Sequence, residues 1–312
     1  MSKVAIVGAG AVGTAIAYAA QIRGVCRELA LFDVNAGKVR AEVLDLNHGM
    51  QFTPMARITG SDDLAVCEGA DVVVITAGAK QKPGQTRLDL AAANVAMCRD
   101  LVPRLVGLAP DALLLLVTNP VDVLTYVVQK LSGLPARRVF GSGTVLDSSR
   151  FRFLLARHLN VAVQNVHALI AGEHGDSEIP LWSTASVGGV PLLQLKMPGS
   201  APLTEEDRTH IFDNVRNAAY QIIRGKGATN YAIGLATAQI LEAVLHDEQR
   251  VLPVSSRMEG YLGITDVCLS VPSIVNRGGV EAVLEVPLSD SERAGLKRSA
   301  DTIRQTIRTL GF

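Results

Sequence analysis

Apolar and polar positions in the first half of the chain alternate between two periods. Short apolar runs at Val4–Val7, Leu29–Phe32, Val72–Thr76, Leu113–Val117 and Arg138–Phe140 are rich in Val, Leu and Ile and read as strands buried on both faces. Between them, Ala11–Arg23, Lys38–His48, Asp89–Leu105 and Val121–Leu131 carry apolar residues at helical spacing. Strand and helix in strict alternation predict an α/β architecture, a Rossmann-type doubly wound parallel sheet with right-handed crossovers. Such a sheet receives ligands at the carboxyl ends of its strands.

The second half has a different pattern. A helix from about Ser148 to His158, mixed strands around Val166–Ile170 and Ser186–Pro191, and long helices near Glu205–Arg224 and Tyr231–Leu245 precede further strands and a final helix from Ser289. This predicts a C-terminal α+β domain. The division falls into residues 1–142 and 143–312, with a packed hinge near Gly141–Gly143, because no low-complexity linker separates the halves.

Composition narrows the classes of partner. Thirty basic and thirty acidic side chains cancel, so the chain as a whole has no positive field to draw nucleic acid or an anionic membrane surface. Cys26, Cys67, Cys98 and Cys268 are widely separated and include no C-x-x-C pair, which supports neither a zinc ribbon nor a disulfide scaffold; no metal is expected. The apolar stretch after Met1-Ser2-Lys3 is too short for a signal peptide, and no run approaches a membrane span in length, so the expectation is a cytoplasmic chain.

Directly after the first strand, Gly8, Gly10 and Gly13 satisfy G-x-G-x-x-G and open the first helix. The first glycine permits a tight turn, the second lets the backbone approach a pyrophosphate, and the third lets helix and strand pack closely while the helix N-terminus faces the phosphates. Asp33 ends the second strand twenty residues after Gly13, where a carboxylate can accept hydrogen bonds from the adenosine ribose hydroxyls and repel a 2′-phosphate, which favours NAD over NADP. On its own it reads as a strand-end turn carboxylate, but its register with the glycines makes that the weaker reading. Val12 within the turn and Thr76 at the end of the strand at 72–76 join the expected cofactor contacts.

Further motifs follow in order: AGAKQKPGQTRLDL at 77–90, TNPVD at 118–122, GSGTVLDSSRFR at 141–152 and GEHGDSEIP at 172–180. With GAGAVG they resemble, over essentially the whole chain, the L-lactate dehydrogenase branch of the lactate/malate dehydrogenase family. The resemblance implies NAD-dependent interconversion of pyruvate and L-lactate. It makes His174 the proton donor and acceptor, a role suited to an imidazole near neutral pH, and Asp147 the carboxylate that orients it; Asp147 also reads as an N-cap for the helix that follows. Arg150, three residues on, would grip the substrate carboxylate through paired hydrogen bonds. Arg87 would close over the site and polarise the carbonyl, although by periodicity it could be a solvated surface arginine. Asn119 would contact the nicotinamide-side ribose and the substrate carbonyl, or simply make the turn before Pro120; Thr229 in KGATN would line the substrate pocket.

Gln81 bears on the substrate. Lactate enzymes carry glutamine at this position and malate enzymes arginine, and a second carboxylate enclosed opposite Gln81 would have no countercharge, at a cost of roughly several kcal/mol. Pyruvate is therefore expected over oxaloacetate; a malate or broader 2-hydroxyacid dehydrogenase, and a non-catalytic NAD-binding protein, are the alternatives. An NAD-dependent glycoside hydrolase would need metal-binding Cys and His at spacings this chain lacks.

Asn230 stands where the family often has an aromatic residue, which bears on pocket shape. The N-terminal arm of vertebrate members is missing, so a homotetramer of bacterial type is expected. Arg152 follows Arg150 by two positions, so the two side chains point to nearly opposite faces of one helix. With His167 it matches the inter-subunit fructose 1,6-bisphosphate site of allosteric bacterial members, and arginine with a protonatable histidine suits a phosphate. His167 alone also reads as a satisfied core residue at a strand end.

Overall fold

A computed structural model describes residues 2–79, 87–196 and 202–312, and main chain only at Arg87. The elements, in chain order, are β1 (Lys3–Val7), α1 (Ala11–Arg23), β2 (Glu28–Phe32), α2 (Ala36–His48), β3 (Arg57–Ser61), β4 (Val72–Ile75), α3 (Arg87–Leu108), β5 (Leu113–Leu116), α4 (Val121–Ser132) and β6 (Val139–Gly141). These are followed by α5 (Val145–Leu159), β7 (Val166–His167), β8 (Ile170–Ala171), β9 (Ile179–Pro180), β10 (Ser186–Val187), β11 (Val190–Pro191), α6 (Glu205–Lys226), α7 (Tyr231–Leu245), β12 (Arg250–Tyr261), β13 (Ile264–Asn276), β14 (Gly279–Val283) and α8 (Asp290–Thr309).

The main sheet runs β3-β2-β1-β4-β5-β6-β12-β13-β14. The first six strands are parallel. Their order reverses direction between β1 and β4, which opens a crevice at the carboxyl ends of those two strands. Alternate residues of each strand serve opposite cores. Val4, Ile6, Leu29, Leu31, Val72, Val74, Leu113 and Leu115 pack with α1 and α7, whereas Ala5, Val7, Ala30, Val73, Ile75, Leu114 and Leu116 pack with α3, α4 and α8. Burial on both faces explains why these strands are continuous apolar runs.

The sequence pattern did not reveal two features. RITGS at β3 is an edge strand with only Ile58 buried, so it carries no apolar run. The C-terminal strands β12–β14 do not form a sheet of their own; β12 joins the nucleotide-side sheet antiparallel to β6 at Ser255 and Gly141. The small sheet β11-β10-β7 and helices α5 and α6 enclose a third core around Phe151, Leu155, Val166, Ile170, Ile211 and Val215. All four cysteines are buried and unpaired.

Candidate active site

The turn from β1 into α1 is built around glycine for steric reasons. A Cβ on Gly13 would lie 1.9 Å from the Gly8 carbonyl oxygen, and Gly8 itself has φ +107°. The Thr76 hydroxyl donates to the Gly8 carbonyl at 2.8 Å and to that of Val7 at 3.1 Å, tying the turn to the end of β4. Gly10 differs, since among the described residues a Cβ there would meet nothing within 4 Å. The space in front of Gly10 is open where the α1 N-terminus begins, and α1 has neither a side-chain cap nor an acidic residue in its first turn. Unsatisfied N–H groups and the positive end of the helix dipole thus face a cleft of the kind that holds a pyrophosphate. Val12 lies in that first turn, half-buried. Asp33 sits beside it: its carboxylate accepts the Ala9 N–H at 2.8 Å and the Asn35 N–H at 3.0 Å, which leaves lone pairs for ribose hydroxyls. These residues fit a dinucleotide.

On the far side of the crevice, α5 begins at Val145, three residues earlier than the sequence pattern suggested. Its N-cap is Thr144, so Asp147 is not the cap but a residue of the first helical turn. That position aims a buried carboxylate, 2% exposed, at the GEHGD loop. Asp147 Oδ2 lies 2.6 Å from His174 Nδ1, and Asp147 Oδ1 accepts from Arg150 Nη1 at 2.7 Å.

The loop is held from several elements. The Thr144 hydroxyl donates to the Ile170 carbonyl at 2.6 Å, Ser148 Oγ accepts the Ile170 N–H at 2.9 Å, and Gly172 pairs with Ser270 of β13. Glu173 N–H donates to Ser299 Oγ of α8 at 2.6 Å, and the Ser177 hydroxyl donates to the Glu173 carboxylate. His174 N–H donates to Asp122 Oδ2 of α4 at 2.7 Å, while Asp122 Oδ1 accepts from Ser255 Oγ at 2.6 Å. Five elements thereby fix one imidazole.

The electrostatics follow from burial and charge. Burial works to lower the His174 pKa, but the charge and hydrogen bond of Asp147, then the charges of Asp122 and Glu178, overcome it and raise it to about 9. Burial works to raise that of Asp147, and His174 and then Arg150 hold it below the usual carboxylate range. Burial pushes Asp122 up to about 6, against the hydrogen bonds from Ser255 and the His174 N–H. The pair is an imidazolium with a carboxylate behind its Nδ1, leaving Nε2 as the nitrogen to exchange a proton.

Asn119 is exposed beside the crevice, between β5 and α4, and its carbonyl accepts from the buried Asn94 side chain at 2.8 Å; the same side chain accepts the Ala79 N–H at 2.8 Å. Thr229 lies half-buried in the link from α6 to α7. Gln81 and the side chain of Arg87 lie outside the described residues. Arg150 and Arg152 diverge as their spacing requires: Arg152 Nε donates to the Ala168 carbonyl at 2.8 Å, next to His167, which is exposed on β7. Three buried residues escaped the sequence reading, namely Asn94, Asp122 and Glu178. Asp122 lies within TNPVD, but nothing in the sequence distinguishes its buried carboxylate from an ordinary acid in a first helical turn. Among the described residues, Asp147, His174 and Glu178 form the one cluster with metal-ligand spacing, and no helix is long and apolar enough to cross a membrane.

Two family models match the chain in order: lactate/malate dehydrogenase, NAD binding domain, over residues 2–141, and lactate/malate dehydrogenase, alpha/beta C-terminal domain, over 144–310. The chain is 56% identical over 312 residues to an L-lactate dehydrogenase of Bifidobacterium animalis subsp. lactis, covering 100% of this chain and 98% of that protein. It is also similar in structure to the minor L-lactate dehydrogenase of Enterococcus mundtii, with a TM-score of 0.95 and 43% identity over 99% of this chain and 98% of that one. A lactate dehydrogenase from a deep-sea metagenome library superposes with a TM-score of 0.96 at 39% identity, over 100% and 99% of the two chains. Matched along its length by both models and by these relatives, the chain belongs to the lactate/malate dehydrogenase family, with NAD as its cofactor.

Proposed function

We propose that the chain is an L-lactate dehydrogenase that interconverts pyruvate and L-lactate, with His174 as the proton donor and acceptor. The 2.6 Å contact between the buried Asp147 carboxylate and a half-buried His174 carries the reading, because reduction of a keto group needs a proton delivered to oxygen. Bound NADH supplies the hydride. Asp147 holds the imidazole charged and fixes Nδ1, so His174 presents its proton at Nε2. Arg150 uses one Nη on Asp147 and keeps its other donors for the substrate carboxylate, which places substrate and acid on a common anchor. Arg87 polarises the carbonyl, Asn119 meets the ribose and carbonyl, Thr229 lines the pocket, and Gln81 faces the substrate methyl group. Gly8, Gly10, Val12, Gly13, Thr76 and Asp33 hold the dinucleotide, and the cofactor and substrate units divide near residue 142.

The protein assembles as a homotetramer and responds to fructose 1,6-bisphosphate at Arg152 and His167. Exposed apolar side chains support assembly: Tyr18, Ile22, Phe52, Tyr231 and Leu235 line one groove of about 750 Å³. The Arg152 hydrogen bond to the Ala168 carbonyl brings its guanidinium to the residue that follows His167 at the end of β7. Steady-state NADH oxidation with pyruvate, oxaloacetate and longer 2-keto acids, with and without the bisphosphate, tests the reading. Pyruvate should be used most efficiently, and a preference for oxaloacetate would replace this reading with malate dehydrogenation.

A further inference from the structure

Glu178 lies four residues after His174 and is only 6% exposed. Its carboxylate shares a cluster with Asp147 and His174 in which the nearest polar atoms all fall within 4.8 Å of one another. Among the described residues, its Oε1 is buried without a hydrogen-bond partner. Among the described residues, the charged groups that act on it include Asp147 and Arg150 from α5, His174 from its own loop and Arg216 from α6.

The charges around the substrate can be paired off. Asp147 balances protonated His174, Arg150 balances the carboxylate of a keto acid, Arg216 is paired with Asp213 at 3.0 Å, and the buried Asp122 beside His174 offsets the Arg87 of the proposed site. An ionised Glu178 would be one anion too many in a buried space, competing with the substrate for Arg150 and drawing on the imidazolium that Asp147 holds. A neutral carboxylic acid in the same place adds no charge and leaves both partners free.

We infer that Glu178 is a positioning residue that must be protonated for a 2-keto acid to bind, so that substrate binding takes up a proton at Glu178 as well as requiring one at His174. The electrostatics agree with the geometry: burial, then the Asp147 charge, pushes the Glu178 carboxyl up to about 8. The inference rests on the proposed pyruvate site.

The test is the number of protons absorbed when oxamate, the non-reducible amide analogue of pyruvate, binds the wild-type protein with saturating NADH in weakly buffered solution at pH 9. With pKa values of about 8 and about 9, roughly 1.4 protons should be absorbed per oxamate bound, more than one group can supply. Glu178→Gln, which cannot ionise, should absorb about 0.9 fewer. Its pyruvate KM should also rise with pH at one proton's slope in the alkaline range, against two for the wild type. An uptake of one proton or less by the wild type, or equal uptake by both proteins, overturns the role of Glu178. Failure of the NADH complex to bind oxamate or reduce pyruvate overturns the pyruvate reading itself and removes the basis of this one.

Discussion

Replacing Asp147 by Asn keeps the shape of the side chain and removes its charge from behind His174. The imidazole stands at about 9 against an ordinary 6.5, a difference worth about 3 kcal/mol, with Asp147 the principal cause of the rise. Without that charge burial again lowers the His174 pKa, opposed by the charges of Asp122 and Glu178, and a return to its ordinary 6.5 sets the scale of the effect. At pH 7.5 the wild type would then hold roughly 97% of its imidazole protonated and the variant roughly a tenth, so pyruvate reduction falls about tenfold on protonation alone, with more lost to misorientation. The measurable signature is the His174 step in the alkaline limb of kcat/KM for pyruvate, the second of two in the wild type after that of Glu178; it should move about two and a half pH units toward acid, with partial recovery of activity near pH 5.5. The same pair shapes stability. A raised His174 pKa contributes stability that is complete below about 6.5 and lost as pH rises through about 9. The lowered Asp147 pKa contributes stability present above about 3.8 and lost as pH falls below it. Melting temperatures of wild type and Asp147→Asn should therefore differ most between about pH 4 and 6.5 and approach each other toward pH 9. An alkaline limb at the same pH in both proteins would refute the assignment of Asp147 as the source of the His174 charge.

Asp33 should make the protein use NADH in preference to NADPH in steady-state assays, because its carboxylate faces the position of a 2′-phosphate; comparable efficiency with both would contradict this. Gln81→Arg should shift the ratio of oxaloacetate to pyruvate efficiency upward by supplying a partner for the second carboxylate, and an unchanged ratio would show that this residue does not meet the substrate side chain. Fructose 1,6-bisphosphate should lower the apparent pyruvate KM and favour the tetramer. Identical titrations for wild type and Arg152→Gln would remove these residues from that role.

The parallel sheet was legible in the sequence because burial on both faces leaves unbroken runs such as VVVI at 72–75, and the glycine turn because helix, strand and turn each constrain a different glycine. The strand at 57–61 was not, since an edge strand with one buried side chain has no pattern to read. Nor was the union of β12 with β6, which depends on a single non-local pairing. His174, Asp147 and Arg150 could be named from motifs, and the early start of α5 then gave Asp147 its aim. Asp122, Asn94 and Glu178 escaped because their chemistry comes from burial, which brings together residues distant in sequence: Asp122 meets a backbone N–H fifty-two residues away. A glutamate in a polar loop motif reads as solvated until the fold encloses it.

His174 delivers the proton to a carbonyl that Arg87 polarises. His174→Ala should be compared with wild type for NADH binding by fluorescence titration and for pyruvate turnover at pH 7. NADH affinity should stay close to that of the wild type, because the glycine turn and Asp33 are untouched, while turnover falls roughly 100- to 10,000-fold. Turnover near the wild-type level at neutral pH would contradict it.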